Sequence, residues 1–166
     1  MLDALAILKR AGVSVPFLFA GAGEMAGEIR ARVEREGLAD VRIEPVQTPA
    51  ASIAEMDVVV LPSRSEAMPL ALVEGLMCGR PCIATAVGGI TDLVREGQEG
   101  TLIPAPAASA AIADAMRSYL ALPADALAAY RQRARARYEE CCRPEAVGAI
   151  VAEHYRSVIR SAGAGR

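Results

Sequence analysis

Tryptophan is absent from this 166-residue chain, and two Phe and four Tyr are its only aromatic residues. So sparse a set offers little on which nucleic-acid bases could stack. Charge of one sign is not in excess either: a net charge of -2 gives no general attraction to a polyanion, and no nucleic-acid partner is expected. Histidine occurs once, as His154, without a Ser or Cys beside it in a nucleophile motif, and reads as structural. Long apolar runs are missing. Nothing approaches the ~18 residues needed to cross a bilayer, and the opening MLDALAILKRAGVSV is broken by Asp3, Lys9 and Arg10, unlike a secretory leader. A cytoplasmic location is expected. The four cysteines, Cys78, Cys82, Cys141 and Cys142, lack the spacing of a structural zinc site, so reduced thiols are expected and no metal.

What the chain does have is alternation. At 53% hydrophobic and 23% charged residues the composition is globular, and the length suits one core. Short runs rich in Val, Ile and Phe recur between stretches of helical spacing, which predicts a parallel sheet covered by helices. Strands are expected at 16–20, 41–44, 57–61, 82–85 and 101–103, with helices near 2–11, 24–36, 49–55, 69–79 and 89–95. Gly12, Gly37, Pro62, Gly79 and Gly97 punctuate them. Strand signals stop after Ala107, and three helices follow near 107–121, 124–140 and 145–160, with Pro123 and Pro144 where new helices would start. The expected organisation is an α/β, Rossmann-like domain over 1–120, helices of the same domain over 121–160, and a frayed tail over 161–166. Arg131, Arg133, Arg135 and Arg137 alternate, a spacing that spreads charge around a helix. They read as a solvated surface, with peripheral contact to anionic lipid headgroups as the sharper alternative.

Two segments carry candidate chemistry. The first is FLFAGAGEMAGEIR, residues 17–30, where a strand, a Gly21-x-Gly23-x-x-Ala26 turn and a helix come in the order of a dinucleotide fingerprint. Glu44, about twenty residues on, stands where an acidic ribose ligand would belong. Against an NAD site, a helical segment precedes this strand, which makes it the second element of a series. Gly21 and Gly23 equally suit any tight strand-to-helix turn.

The second segment is LPSRSEAMPLALVEGLMCGRPCIATAVGGITDLV, residues 61–94. A strand ends at Leu61-Pro62-Ser63, a polar loop carries Glu66, and Pro69 opens a helix that places Glu74 about one and a half turns inside. Two carboxylates thus stand beside one helix N-terminus, where free N–H groups and the macrodipole favour phosphate. Singly, Glu66 suits an ordinary loop acid and Glu74 a solvated helix residue.

Glu66, seven residues, Glu74, then Gly79-Arg-Pro81, a short strand and Gly88-Gly89-Ile-Thr-Asp92 resemble the Glu-x7-Glu region of retaining glycosyltransferases of the GT-B fold, glycosyltransferase group 1 (family 4) type. MDVVVLPSRSE before it and VREGQEGTLIP after it resemble the same domain, and the similarity runs in order over residues 2–120. The resemblance implies a C-terminal donor-binding domain for a nucleotide-diphospho-sugar, a UDP- or GDP-sugar. Glu66 would face the transferred sugar, and Glu74 the ribose hydroxyls. The N–H groups of Met68, Leu70 and Ala71 would approach the sugar hydroxyls and the diphosphate. Gly88 and Gly89 would form a side-chain-free wall, with Asp92 where the family often has Glu, and Glu44 to Gln47, Val46 among them, would lie near the base.

These residue types suit the chemistry. Departure of a nucleoside diphosphate leaves positive charge at the anomeric carbon, which a carboxylate can stabilise, and puts negative charge on the leaving group, which a helix N-terminus can stabilise without a cofactor. A front-face displacement and a covalent intermediate both stay open.

The resemblance also implies a strand, followed by a loop whose Arg and Lys clamp the diphosphate, ahead of the helix at residue 2. It implies as well an acceptor-binding domain forming the other wall of the cleft. Neither has a counterpart in this sequence. In the doubly wound order that strand would be central, between those at 16–20 and 57–61, and a gap there leaves unpaired backbone; the expectation is therefore a truncated transferase, inactive alone, or a chain that takes the absent strand from a partner. Its rivals are a non-catalytic nucleotide- or partner-binding module and an NAD-binding domain.

Overall fold

A computed structural model describes residues 1–46 and 48–163. Five strands, β1 (Phe17–Ala20), β2 (Val41–Glu44), β3 (Val59–Leu61), β4 (Cys82–Thr85) and β5 (Gly100–Ile103), alternate with helices α1 (Leu2–Arg10), α2 (Ala26–Glu36), α3 (Pro49–Ala54), α4 (Leu70–Met77) and α5 (Ile90–Leu93). Helices α6 (Ser109–Leu120), α7 (Ala124–Cys141) and α8 (Pro144–Gly163) follow. The expected α/β architecture is present, with boundaries displaced by one or two residues. Helix α8 runs into the expected tail, of which 164–166 lie outside the described residues.

All strand pairs are parallel, and they form two sheets, with the expected gap between β1 and β3. β1 pairs with β2, and β4 lies between β3 and β5. Within the larger sheet Val59 is opposite Cys82, and Ile83 opposite Thr101. β4 is buried at all four positions, as a central strand covered on both faces must be. Its side chains divide by the period of two: Ile83 joins α1 and α6 in one core, while Cys82 and Ala84 join α4, α5 and α7 in the other. Phe17 and Phe19 of β1 enter the first core beside Val58 and Val60, so the two sheets share packing although no strand ladder joins them.

Helices present apolar stripes to these cores at helical spacing. In α1 the buried residues are Leu2, Ala4, Leu5, Ala6 and Leu8; in α4 they are Leu72, Gly75 and Leu76. Burying each such leucine is worth about 1.5–3 kcal/mol. Gly75 permits close contact, since a Cβ there would lie 3.0 Å from Val59 Cγ2. α2 ends at Gly37 in the left-handed conformation, and its last carbonyls accept hydrogen bonds from Lys9 Nζ, at 2.6 Å from Glu36 O and 2.8 Å from Gly37 O.

The alternating arginines of α7 depart from the solvated reading. Arg135 donates to Met77 O (2.6 Å) at the end of α4, and Arg137 to Asp92 O (2.6 Å) and Leu93 O (3.1 Å) at the end of α5. Arg133 donates to Gln98 O (2.8 Å), and Arg131 pairs with Asp57. Each guanidinium thus satisfies carbonyls or a carboxylate on the layer beneath, and those at helix C-termini also meet the negative end of the dipole. Ala134, fully buried between them, lets α7 lie close.

One buried acid braces the turn into β5. Glu99 has no exposed surface; it accepts from Arg95 N (2.8 Å) and Arg95 Nε (3.0 Å). Burial alone would raise its pKa, but the Arg95 hydrogen bonds and charge outweigh it and hold the carboxyl below its ordinary value. Burial pushes the neighbouring Cys82 thiol up to about 12, so this cysteine is an inert core group.

Candidate nucleotide-sugar site

The candidate site lies where β3 and β4 end. Because the two strands are parallel and adjacent, the loops 62–69 and 86–89 leave the sheet at the same edge. Ser63, two residues past β3, donates its hydroxyl to Glu66 Oε1 at 2.7 Å and holds that half-buried carboxylate in place. Pro69 is the N-cap, with extended backbone (φ -77, ψ 109), so α4 starts at Leu70, one residue later than expected. Pro69 O accepts from Leu72 N (3.0 Å) and Val73 N (3.2 Å). Among the described residues, the N–H groups of Met68, Leu70 and Ala71 have no partner within the chain, and the Met68 and Leu70 side chains are exposed.

The second loop presses directly on the first. A Cβ on Gly88 would stand 1.8 Å from Glu66 O, and one on Gly89 would stand 1.9 Å from Ala67 O. Gly88 also has φ +49, a conformation that other residues adopt at a cost. Three residues on, Thr91 donates its hydroxyl to Gly88 O at 3.0 Å and fixes the turn. Glycine is therefore required twice by sterics alone, and Glu66, Ala67, Gly88 and Gly89 form one surface.

Glu74 is half-buried and shares a helical face with Leu70, one turn nearer the N-terminus of α4. Helical side chains lean toward the N-terminus, which tilts the carboxylate toward the free N–H groups rather than away from them. No ion pair among the described residues engages it. Asp92 is exposed in the first turn of α5, and its backbone carbonyl is held by Arg137.

The other sheet contributes differently. Val46, 39% exposed, lies just past β2; Gln47 is outside the described residues. Glu44 is ion-paired with Arg42 at 3.0 Å, and Arg42 also bonds Glu55 at 2.9 Å. Gly21 N donates to Glu44 O (2.8 Å), but a Cβ on Gly21 or Gly23 would meet nothing within 4 Å. Packing within the chain therefore does not demand glycine at either position, but the backbone does at Gly21, whose φ of +156 other residues rarely adopt.

Two open concavities lie elsewhere. One of about 330 Å³ includes Leu5, Val13, Val15 and Leu38 at the opposite, amino-terminal edge of β1 and β2, and one of about 380 Å³ lies between α1 and α2 around Arg32. Neither contains the two loops. We favour the loop surface, because the free N–H groups, the fixed carboxylate and the sterically required glycines meet there, whereas the first concavity is lined mainly by aliphatic and backbone groups. Among the described residues there is no cluster of three or more His, Cys, Asp or Glu able to hold a metal.

A family model described as glycosyl transferases group 1 matches residues 1–121. The chain belongs to this family. It is 36% identical over 115 residues to a D-inositol 3-phosphate glycosyltransferase of Jonesia denitrificans, covering 63% of this chain and 27% of that protein. It is 31% identical over 148 residues to WcaL of Escherichia coli (strain K12), whose name assigns it to colanic acid biosynthesis as a glycosyltransferase, covering 83% of this chain and 36% of that protein. In fold it matches HepE of Anabaena, solved in complex with UDP-glucose, with a TM-score of 0.77 and 24% identity over 94% of this chain and 44% of the other. The group 1 chain thus spans less than half the length of each of these relatives. Its fold is that of the C-terminal Rossmann-like half of a GT-B glycosyltransferase, and the Gly21-x-Gly23 turn belongs to that half, not to an NAD enzyme.

Ser63 was not singled out from sequence, and the alternating arginines of α7 were expected at a solvated surface, not as donors to the carbonyls of the layer beneath. The only available signal for Ser63 was its position three residues before Glu66.

Proposed function

We propose that this chain is the donor-binding part of a retaining glycosyltransferase that moves a sugar from a UDP- or GDP-sugar to a glycan or lipid-linked acceptor. The observation that carries the reading is the contact of Gly88-Gly89 with Glu66-Ala67 at the end of β3 and β4, beside the open N-terminus of α4. In this reading the diphosphate sits on the N–H groups of Met68, Leu70 and Ala71, where the dipole and unpaired donors offset its charge. Glu66, positioned by Ser63, faces the sugar, Glu74 binds the ribose hydroxyls, and Val46 flanks the base.

Transfer requires more than these residues. β1 and β3 are not paired with each other, and a further parallel strand between them, the one the family's pattern has in the donor domain ahead of α1 or one from a partner chain, would join the two sheets. We infer that the 166 residues bind donor weakly and transfer sugar only with that complement. A cationic loop opposite the α4 N-terminus would add the charge-assisted bonds a diphosphate calls for.

Calorimetric titration with UDP, GDP and NAD tests the reading. A nucleoside diphosphate should bind, NAD should not, and Glu74→Ala should weaken the diphosphate at least tenfold. Equal binding of UDP and GDP by wild type and Glu74→Ala would remove this site from consideration.

A further inference from the structure

Helix α7 ends in two adjacent cysteines, Cys141 as its last residue and Cys142 as its C-cap. Both are half-buried free thiols, and their Sγ atoms lie 3.6 Å apart. Cys141 Sγ donates to Arg137 O at 3.2 Å, and Cys142 N donates to Tyr138 O at 2.9 Å, so the helix end itself holds the two sulfurs side by side. Burial, and then the contact with Cys141, push the Cys142 thiol up to about 11. At neutral pH Cys142 therefore stays protonated and is a poor nucleophile toward alkylating agents and disulfides.

Closure to a disulfide does not suit this spacing. Cα atoms joined by a trans peptide are about 3.8 Å apart, below the usual disulfide range of about 4.4–6.8 Å, and the sulfurs would have to close to about 2.05 Å. A single soft atom bonded to both sulfurs fits them as they stand. With bonds of about 2.3 Å, the length of a zinc–thiolate bond, and an angle between a right angle and the tetrahedral one, such an atom holds two sulfurs about 3.3–3.8 Å apart. The ligand count then selects the atom. Among the described residues no third His, Cys, Asp or Glu completes a metal-binding group, which leaves zinc short of its four ligands. Trivalent arsenic that already carries one organic substituent needs only two more.

We propose that Cys141 and Cys142 form a dithiol site for monosubstituted trivalent arsenicals. Both As–O bonds of the hydrated arsenoxide break and two As–S bonds form; the two thiol protons leave with the oxygens as water, and nothing is oxidised or reduced. Cys82 is sealed in the core, and Cys78 has no second sulfur within hydrogen-bonding distance among the described residues. A single As–S bond at Cys78 lacks the second, intramolecular bond that makes a chelate tight.

Intact-mass spectrometry of the folded 166-residue chain with one equivalent of phenylarsine oxide tests this. The wild type should keep one phenylarsenic group in excess mercaptoethanol, a monothiol, and lose it to dimercaptopropanol, a dithiol. Cys141→Ser and Cys142→Ser should each weaken binding by about a hundredfold or more, and Cys78→Ser should leave it unchanged, with circular dichroism confirming that each variant is folded. Failure of the wild type to keep the group would overturn the proposal. So would retention by Cys141→Ser, or labelling that appears only once urea has unfolded the chain.

Discussion

Gly88 lies against the backbone of Glu66, near enough that a single added carbon would stand 1.8 Å from the Glu66 carbonyl oxygen. Two loops separated by some twenty residues are thereby locked into one surface at the carboxyl edge of the sheet.

Replacing Gly88 with Ala should separate those loops. The clash and the strained φ together should cost about 1–3 kcal/mol of stability, read by urea denaturation, and diphosphate affinity should fall with it. Ala at Gly23, where a Cβ meets nothing within 4 Å, should cost less than half as much.

Removal of the Ser63 hydroxyl frees Glu66 without touching the core. Ser63→Ala should leave the denaturation midpoint nearly unchanged while weakening binding of an intact nucleotide-sugar more than binding of UDP alone. An equal loss for both ligands would show that Ser63 does not act through the sugar-facing carboxylate.

The Arg137 guanidinium, bonded to two carbonyls at the end of α5, should matter far more than a surface charge. Arg137→Ala should destabilise the chain by about 1.5–3 kcal/mol, the usual range for charged hydrogen bonds. Arg143→Ala, which removes only the exposed pair with Glu145, should stay within about 1 kcal/mol. Matching losses would mean that α7 is not held through its arginines.

Glu99 sets a pH dependence. Its folded pKa is held below the ordinary value of 4.5, so it contributes stability above that value and the contribution is lost as pH falls toward the folded pKa. Between neutrality and about pH 5, wild type should be more stable than Glu99→Gln. Below that the gap should narrow, as seen in denaturation midpoints across an acid series. A gap that stays constant with pH would assign Glu99 a purely steric role.

Much of this architecture was legible because burial leaves marks in sequence. Cys82-Ile-Ala-Thr85 is apolar enough on both faces to read as a central strand, and Pro123 and Pro144 announce helix starts. The Glu66, Glu74 and Gly88-Gly89 spacing pointed to the loop surface through its resemblance to the family, and the close contact of the loops explains why glycine stands there. Other features were not readable because their partners are distant in sequence. Arg135 and Arg137 looked solvated because Met77 and Asp92, whose carbonyls they bind, lie some fifty residues away. The break between β1 and β3 was legible only through the family resemblance, which implies a further strand between 16–20 and 57–61; strand runs alone show periodicity, not which edges meet. Helix α2 begins two residues late because Glu24 and Met25 turn before the first helical hydrogen bonds form, and neither supplies a side-chain cap.

Amide hydrogen exchange of the chain with and without millimolar UDP tests the proposed site most directly. Protection should appear in segments 63–74 and 86–92 and be lost in Glu74→Ala. Protection confined to the concavity around Leu5, Val13 and Leu38, with none at the two loops, would contradict it.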